Sequence, residues 1–229
     1  MRAVETLIAE DLLLLLLDDE KGTTPAMWVD VRVPLGAAVL AELALRGAVV
    51  VEPATSRWRT PKVAVTEVPV DDDVLATARA LIAEKPRTAA DLAGRVGDGL
   101  EDRLAERLAG RGLLERHDDR VLGLFPRTRW PATASTHEAA VRDRLAAVVV
   151  AGAAPDERSV ALAGILGALD RLAPVLDLRG AGARDAKRRV AALAESDWAA
   201  AAVREAVQAA VTAVTTTAVI ATTTVATTS

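Results

Sequence analysis

Four tryptophans, at 28, 58, 130 and 198, stand in a chain with no tyrosine and a single phenylalanine, Phe125. Trp28 lies in a polar break near Arg32, and Trp58 sits directly between Arg57 and Arg59. An indole beside guanidinium groups in a loop has two uses. It packs against the aliphatic stems of its neighbours, or it forms a cation–π platform beside arginine forks for an anionic or interfacial ligand. Trp198, at the start of an alanine-rich helix, reads as a core anchor.

Other reactive groups are sparse. His117, in what reads as the hairpin turn "RHDDR", and His137, at the N-terminal end of a helix in "STHEAA", are the only histidines. Neither has a second histidine or carboxylate at ligand spacing, so both read as solvated polar positions rather than catalytic or metal groups. With no cysteine, disulfides, thiolate metal sites and cysteine nucleophiles are excluded. No G-x-S-x-G, phosphate-loop or dinucleotide fingerprint occurs. The acidic runs 18–20 and 71–73 are explained by helix capping and solvated turns, since the second immediately precedes a helix. The expectation is a protein with no catalytic site, no metal and no cofactor.

Charge narrows the partners. A net charge of −4 and a pI near 5.4 disfavour general binding to nucleic acid while leaving room for a local basic pocket. Lysine occurs only at 21, 62, 85 and 187, and together with the alanine excess this reads as codon bias from a GC-rich genome rather than a functional signature. The chain of 229 residues, 51% hydrophobic, has enough apolar material for one large domain or two small ones.

The elements that must position these residues are mostly helical. "EDLLLLLLDDEKGT" carries six leucines between acidic flanks. A secretory signal would want a positive flank, and a membrane span about 20 apolar residues. The run therefore predicts a buried helix over 5–17, broken by Gly22 and Pro25. "GAAVLAELALRG" predicts a helix over 36–47 with Gly47 as a left-handed cap. A strand at "AVVVE" and a second within 53–68 make a plausible hairpin. "DDDVLATARALIAEKP" predicts a helix with aspartates at the positive end of its dipole.

"LAERLAGRGLLER" (104–116) then repeats the plan of "LAELALRGAVVVE" (40–52): helix, Arg-Gly stop, apolar strand. Residues 87–125 trace helix, helix, hairpin, the order of a winged helix. The helix that would read a groove, "GDGLEDRLAERLAGR", has no more bases than acids, so nucleic acid is not an expected partner. Helices follow at 136–151, 155–177, 183–195 and 197 to about 214. From Ala209 to Ser229 there is no charge, but nine threonines and no leucine. That composition predicts a low-complexity tail over 215–229 rather than a membrane span, following a domain over 1–214. The predicted fold class is mainly α: one helical domain decorated by short β-hairpins, with a winged-helix-like segment near 87–125.

"ETLIAEDLLLLLLDDEKG", the Trp28 loop, "VLAELALRGAVVVE", "LAERLAGRGLLE", "RVLGLF" and "RTRWP" occur in the order seen in the Golgi phosphoprotein family. The sequence resembles that family from about Glu5 to the helix at Trp198, most specifically at "ELALRG". The resemblance implies a helix-rich core with hairpins. For eukaryotic members it implies a peripheral adaptor that binds phosphatidylinositol 4-phosphate and retains glycosyltransferases in the Golgi. Their pocket combines a loop tryptophan with three arginines, beside an apolar hairpin that enters the bilayer.

Carried onto this chain, the loop tryptophan falls at Trp28. The three arginines fall at or beside Gly36, at Asp98 and at Glu101, so a glycine and two acids replace three positive charges. Arg32, Arg57 and Arg59 are the alternative basic residues, giving Trp28, Arg32, Arg57 and Arg59 as the candidate lipid-binding set. "ERHDDRVLGLF" aligns with the membrane-touching hairpin and places Val121, Leu122, Leu124 and Phe125 as its contact residues, with packing on the core as the other reading. A counterpart of the basic N-terminal extension of eukaryotic members is not expected before the leucine helix. The expectation is a bacterial, cytoplasmic protein peripheral to the inner face of a membrane. Its expected partner is an anionic phospholipid headgroup, with protein clients and a homo-oligomer left open; a scaffold without lipid binding is the alternative.

Overall fold

The computed structural model describes residues 6–17, 30–52, 60–121, 125–133, 136–196 and 199–226. It is mainly helical with two separate two-stranded antiparallel sheets. The leucine run forms α1 (Ile8–Leu16), every residue of which is buried. The second helix, α2 (Arg32–Leu45), is buried from Val33 to Ala44. Helices buried on all sides belong at the centre of a fold, because no stripe is left for water. Accordingly α2 packs against α1 and against α4 (Ala89–Gly97), α7 (Glu157–Ala168) and α10 (Ala201–Ala226).

Between them run β1 (Val49–Glu52) and β2 (Lys62–Val65), then α3 (Asp73–Glu84), α5 (Leu100–Gly110), β3 (His117–Val121) and β4 (Phe125–Arg129). The remaining helices are α6 (Thr136–Val149), α8 (Leu172–Val175) and α9 (Gly180–Glu195). The expected helix, helix, hairpin order is present as α4, α5 and β3–β4, and Arg87 bridges to Val63 of β2.

The repeated Arg-Gly stop has one physical basis in both places. Gly47 and Gly112 have φ of +68° and +72°, the left-handed conformation that costs glycine least. The following amides reach back to close each helix, Ala48 N to Leu43 O at 2.8 Å and Leu113 N to Leu108 O at 2.9 Å, as in a Schellman cap. Two other glycines serve contact rather than turning. A Cβ on Gly36 would lie 1.9 Å from Ala93 O, and one on Gly97 would lie 1.9 Å from Arg32 O. The backbones of α2 and α4 therefore touch at these points, leaving no room for any side chain.

Several boundaries differ from expectation. Helix α2 begins at Arg32 rather than 36, since Pro34 falls in the first turn, where a missing N–H costs nothing. The stretch 155–177 divides because Asp170 takes φ 53°, ending α7 before α8. His117 is not in a turn; it begins β3 opposite Arg129, and the ladder closes at the pair Val121 and Phe125. Helix α10 does not stop near 214 but continues to Ala226. The Thr215 hydroxyl donates to Thr212 O at 2.9 Å, a back-bond that lets threonine sit in a helix. Among the described residues no helix is long and apolar enough to cross a membrane.

Candidate functional site

Arg32 is the one member of the candidate lipid-binding set that the structure describes; Trp28, Arg57 and Arg59 lie outside the described residues. Arg32 stands at the start of α2, where Asp30 Oδ1 accepts its backbone N–H at 3.0 Å. Its guanidinium donates from Nη1 to Asp98 Oδ1 at 3.0 Å and lies 3.4 Å from Asp30. The Asp98 hydrogen bond and the charges of Asp30 and Asp98 push its pKa up. Both partners are exposed, so solvent screens the pairs.

Beside this pair is a pocket of about 240 Å³ lined by Asp30, Val31, Arg32, Gly97, Gly99, Glu101 and Asp102. Its wall is the N-terminus of α5, entered through Gly99 at φ 66°. A helix N-terminus is an anion site in principle, since its amides and dipole face outward. Here Glu101 and Asp102 occupy the first turn and already supply negative charge to the dipole. One of the positions where the resemblance places an arginine, Gly36, lies inside the α2–α4 contact. Its neighbours Leu35 and Ala37 are fully buried. The other two positions carry acids: Glu101 lines the pocket and Asp98 accepts from Arg32. As described, the lining holds more negative charge than positive.

The hairpin is anchored at its base. Leu114 bridges to Ala132, Glu115 N donates to Pro131 O at 3.0 Å and Thr133 N to Leu113 O at 3.2 Å. The Arg116 guanidinium stacks 5.6 Å from the centroid of buried Trp130, a cation–π contact between the residue that precedes β3 and the residue that follows β4. Thr128 donates to Asp118 at 2.9 Å, and Arg116 donates to the same carboxylate. These bonds, Thr128 first, hold the Asp118 carboxyl below its usual range. Of the expected contact residues, Val121 and Phe125 form the last backbone pair; their side chains, and Leu122 and Leu124, lie outside the described residues.

Sequence reasoning missed a buried ion network around α1. Glu10 and Asp11, read as flanks of the leucine run, are 0% and 4% exposed. Glu10 accepts from Leu7 N at 2.7 Å, Arg107 Nε at 3.1 Å and Arg111 Nη1 at 2.9 Å. Arg107 also reaches Asp72 at 2.7 Å and Asp73 at 2.5 Å. Glu42, equally buried, accepts from Ile8 N, Arg46 and Arg158. His137 is not a solvated residue: Nε2 lies 2.8 Å from Asp11 Oδ1, and Thr6 donates to the same oxygen at 2.6 Å. This network ties α1 to α2, α3, α5, α6 and α7. The one available signal was the pair Glu10-Asp11 immediately before an apolar run, with arginines spaced four apart at 103, 107 and 111. Trp198, the expected core anchor, and the run 18–20 lie outside the described residues. No cluster of histidine and carboxylate groups suited to a metal ion occurs among the described residues.

No curated protein matches the chain. A family model does: that of Golgi phosphoprotein 3 (GPP34) aligns with residues 8–210, spanning α1, both hairpins and the bundle into α10. Helix by helix, the buried α1, the glycine-capped α2 and the α4–α5–hairpin unit are what that alignment covers, and the chain belongs to the Golgi phosphoprotein 3 (GPP34) family.

Proposed function

We propose that the protein is a non-enzymatic adaptor, peripheral to the inner, cytoplasmic face of an anionic membrane, that holds protein clients there. Membership of the Golgi phosphoprotein 3 family over residues 8–210 carries this reading. The β3–β4 hairpin, whose 122–124 connection contains two leucines, is the element suited to enter the headgroup layer, where apolar side chains gain burial. The headgroup, by family likeness that of phosphatidylinositol 4-phosphate, meets Trp28, Arg32, Arg57 and Arg59. Nucleic acid is not part of the proposal: Arg103 and Arg107 of α5 and Arg111 at its C-cap are engaged by Asp73, Asp72 and Glu10, which withholds the charges that phosphates would need.

A second reading, a protein scaffold without phosphoinositide, is favoured by one observation. Among the described residues, the pocket at the N-termini of α2 and α5 is lined by Asp30, Glu101 and Asp102 against one cation, Arg32. Co-sedimentation separates the two. Vesicles of phosphatidylcholine, with and without phosphatidylserine or phosphatidylinositol 4-phosphate, are pelleted with the full chain and with its Leu122→Asp/Leu124→Asp variant. The adaptor reading expects pelleting on anionic vesicles that the variant loses. No pelleting on any anionic composition overturns it and leaves the scaffold.

A further inference from the structure

Helix α7 packs against both α9 and α10, and residues of all three helices face one another across a gap. The space between them is a cleft of about 510 Å³, within the range of sites for small molecules. Its floor contains Gly164 and Gly167, which contribute no side chain, and its walls are Val190 and Ala191 of α9 and Val207 and Val211 of α10. A Cβ on Gly167 would meet only Val190, at an ordinary 3.6 Å, whereas one on Gly164 would lie 3.2 Å from Val211, so Val211 packs closely over Gly164 and the floor is open at Gly167.

The two ends differ. At one, Gln208 Nε2 of α10 donates to Ala194 O of α9 at 3.0 Å and draws the helices together. At the other stand Arg184 and Lys187 with Asp170, the lysine 3.5 Å from the aspartate and both largely exposed. From Arg184 to Ala194 a helix rises about 15 Å. The cleft is thus long, apolar along its sides, closed at one end and cationic at the other by two charges against one.

We infer that this cleft binds a single-chain fatty-acid carboxylate, with the acyl chain along Gly164, Gly167, Val190 and Val211 and the carboxylate at Arg184 and Lys187. Length and apolar walls select an extended chain over a compact ring, since every methylene laid along them is removed from water. The excess positive charge selects an acid over a neutral lipid. The site lies on helices away from the α2–α5 pocket and the hairpin, so it stands or falls separately from the membrane proposal.

The test is fluorescence titration of the full chain with 11-(dansylamino)undecanoate, followed by displacement with palmitate or hexadecanol. Saturable one-to-one binding, displaced by palmitate in preference to hexadecanol, is expected. Ala191 is exposed on α9, so Ala191→Trp blocks the cleft while leaving the circular dichroism spectrum native, and weakens binding by about tenfold or more. Arg184→Glu/Lys187→Glu, also at the surface, weakens palmitate by about threefold to tenfold while leaving hexadecanol unchanged. Absence of saturable binding, equal displacement by the alcohol, or indifference of binding to both variants overturns the inference. Vesicle pelleting plays no part in this readout.

Discussion

Glu10 and Arg107, 97 residues apart in sequence, meet at 3.1 Å with none of the glutamate side chain exposed to solvent. The pair joins the first helix of the core to α5, and Arg107 extends the link to Asp72 at the start of α3. Removing Glu10 takes the acceptor from the buried Leu7 N–H and a carboxylate from both Arg107 and Arg111, and breaking a buried ion pair in this way costs more than the intact pair contributes. Glu10→Ala is therefore expected to lower unfolding stability by about 3–5 kcal/mol. Arg103→Ala, which deletes an ion pair to exposed Asp73, is expected to cost less than about 1 kcal/mol. Urea denaturation of the two variants measures the difference.

Alanine at Gly36 raises helix propensity, yet its Cβ would lie 1.9 Å from Ala93 O. Steric overlap with backbone cannot be relieved by a rotamer change. Gly36→Ala is expected to destabilise the fold by about 1–3 kcal/mol or more. Gly94 on α4 has open space at the Cβ position, and Gly94→Ala is expected to stabilise by about 0.5–1 kcal/mol. Opposite shifts in thermal midpoint would verify that contact, not conformational freedom, selects glycine at position 36.

Burial opposes ionisation of Asp72, but hydrogen bonds from Arg107 and from the Leu75 and Val74 amides outweigh it and hold its pKa below the usual carboxylate range. Asp73 is held low chiefly by its Arg103 hydrogen bond. A carboxylate with a depressed folded-state pKa stabilises the fold above its unfolded value, about 3.9, and loses that contribution as pH falls through the folded one. Stability is expected to fall below about pH 4. Asp72→Asn keeps an acceptor for the cap but has no charge, so its acid limb should be shallower when urea midpoints are plotted against pH.

If the α2–α5 pocket is weak for phosphoinositide because of its acids, reversing them should restore binding. Asp98→Arg/Glu101→Arg adds two positive charges, removes two negative ones and releases Arg32 from Asp98. Each added arginine near an anionic surface contributes about 1 kcal/mol. Pelleting with vesicles containing phosphatidylinositol 4-phosphate is expected to strengthen by about tenfold or more, and the gain should shrink as salt is raised.

The sequence by itself determined the family, the helical class and the local punctuation. "ELALRG" and "LAGRGLLE" contain their own stop signals, and Gly47 and Gly112 take the left-handed conformation that glycine permits locally. The six leucines were legible as core because neither a signal peptide nor a span has their length and flanks, and all are buried. Asp72 was legible as a cap for the same reason: the amides it accepts belong to the next two residues along but one.

Only the tertiary structure decided what depends on distant partners. The acids flanking the leucine run could not be told from solvated charges, because the arginines that pair with Glu10 come from α5 and its C-cap, about a hundred positions away. His137 was read as solvated for want of a ligand nearby in sequence, and its partner Asp11 is 126 residues earlier. Gly36 looked like an arginine replaced, whereas the contact with Ala93 shows a position where α2 and α4 leave no space for a side chain. Short-range signals act through the backbone of a few residues and survive in sequence; charge pairing and close approach depend on which surfaces the fold brings together.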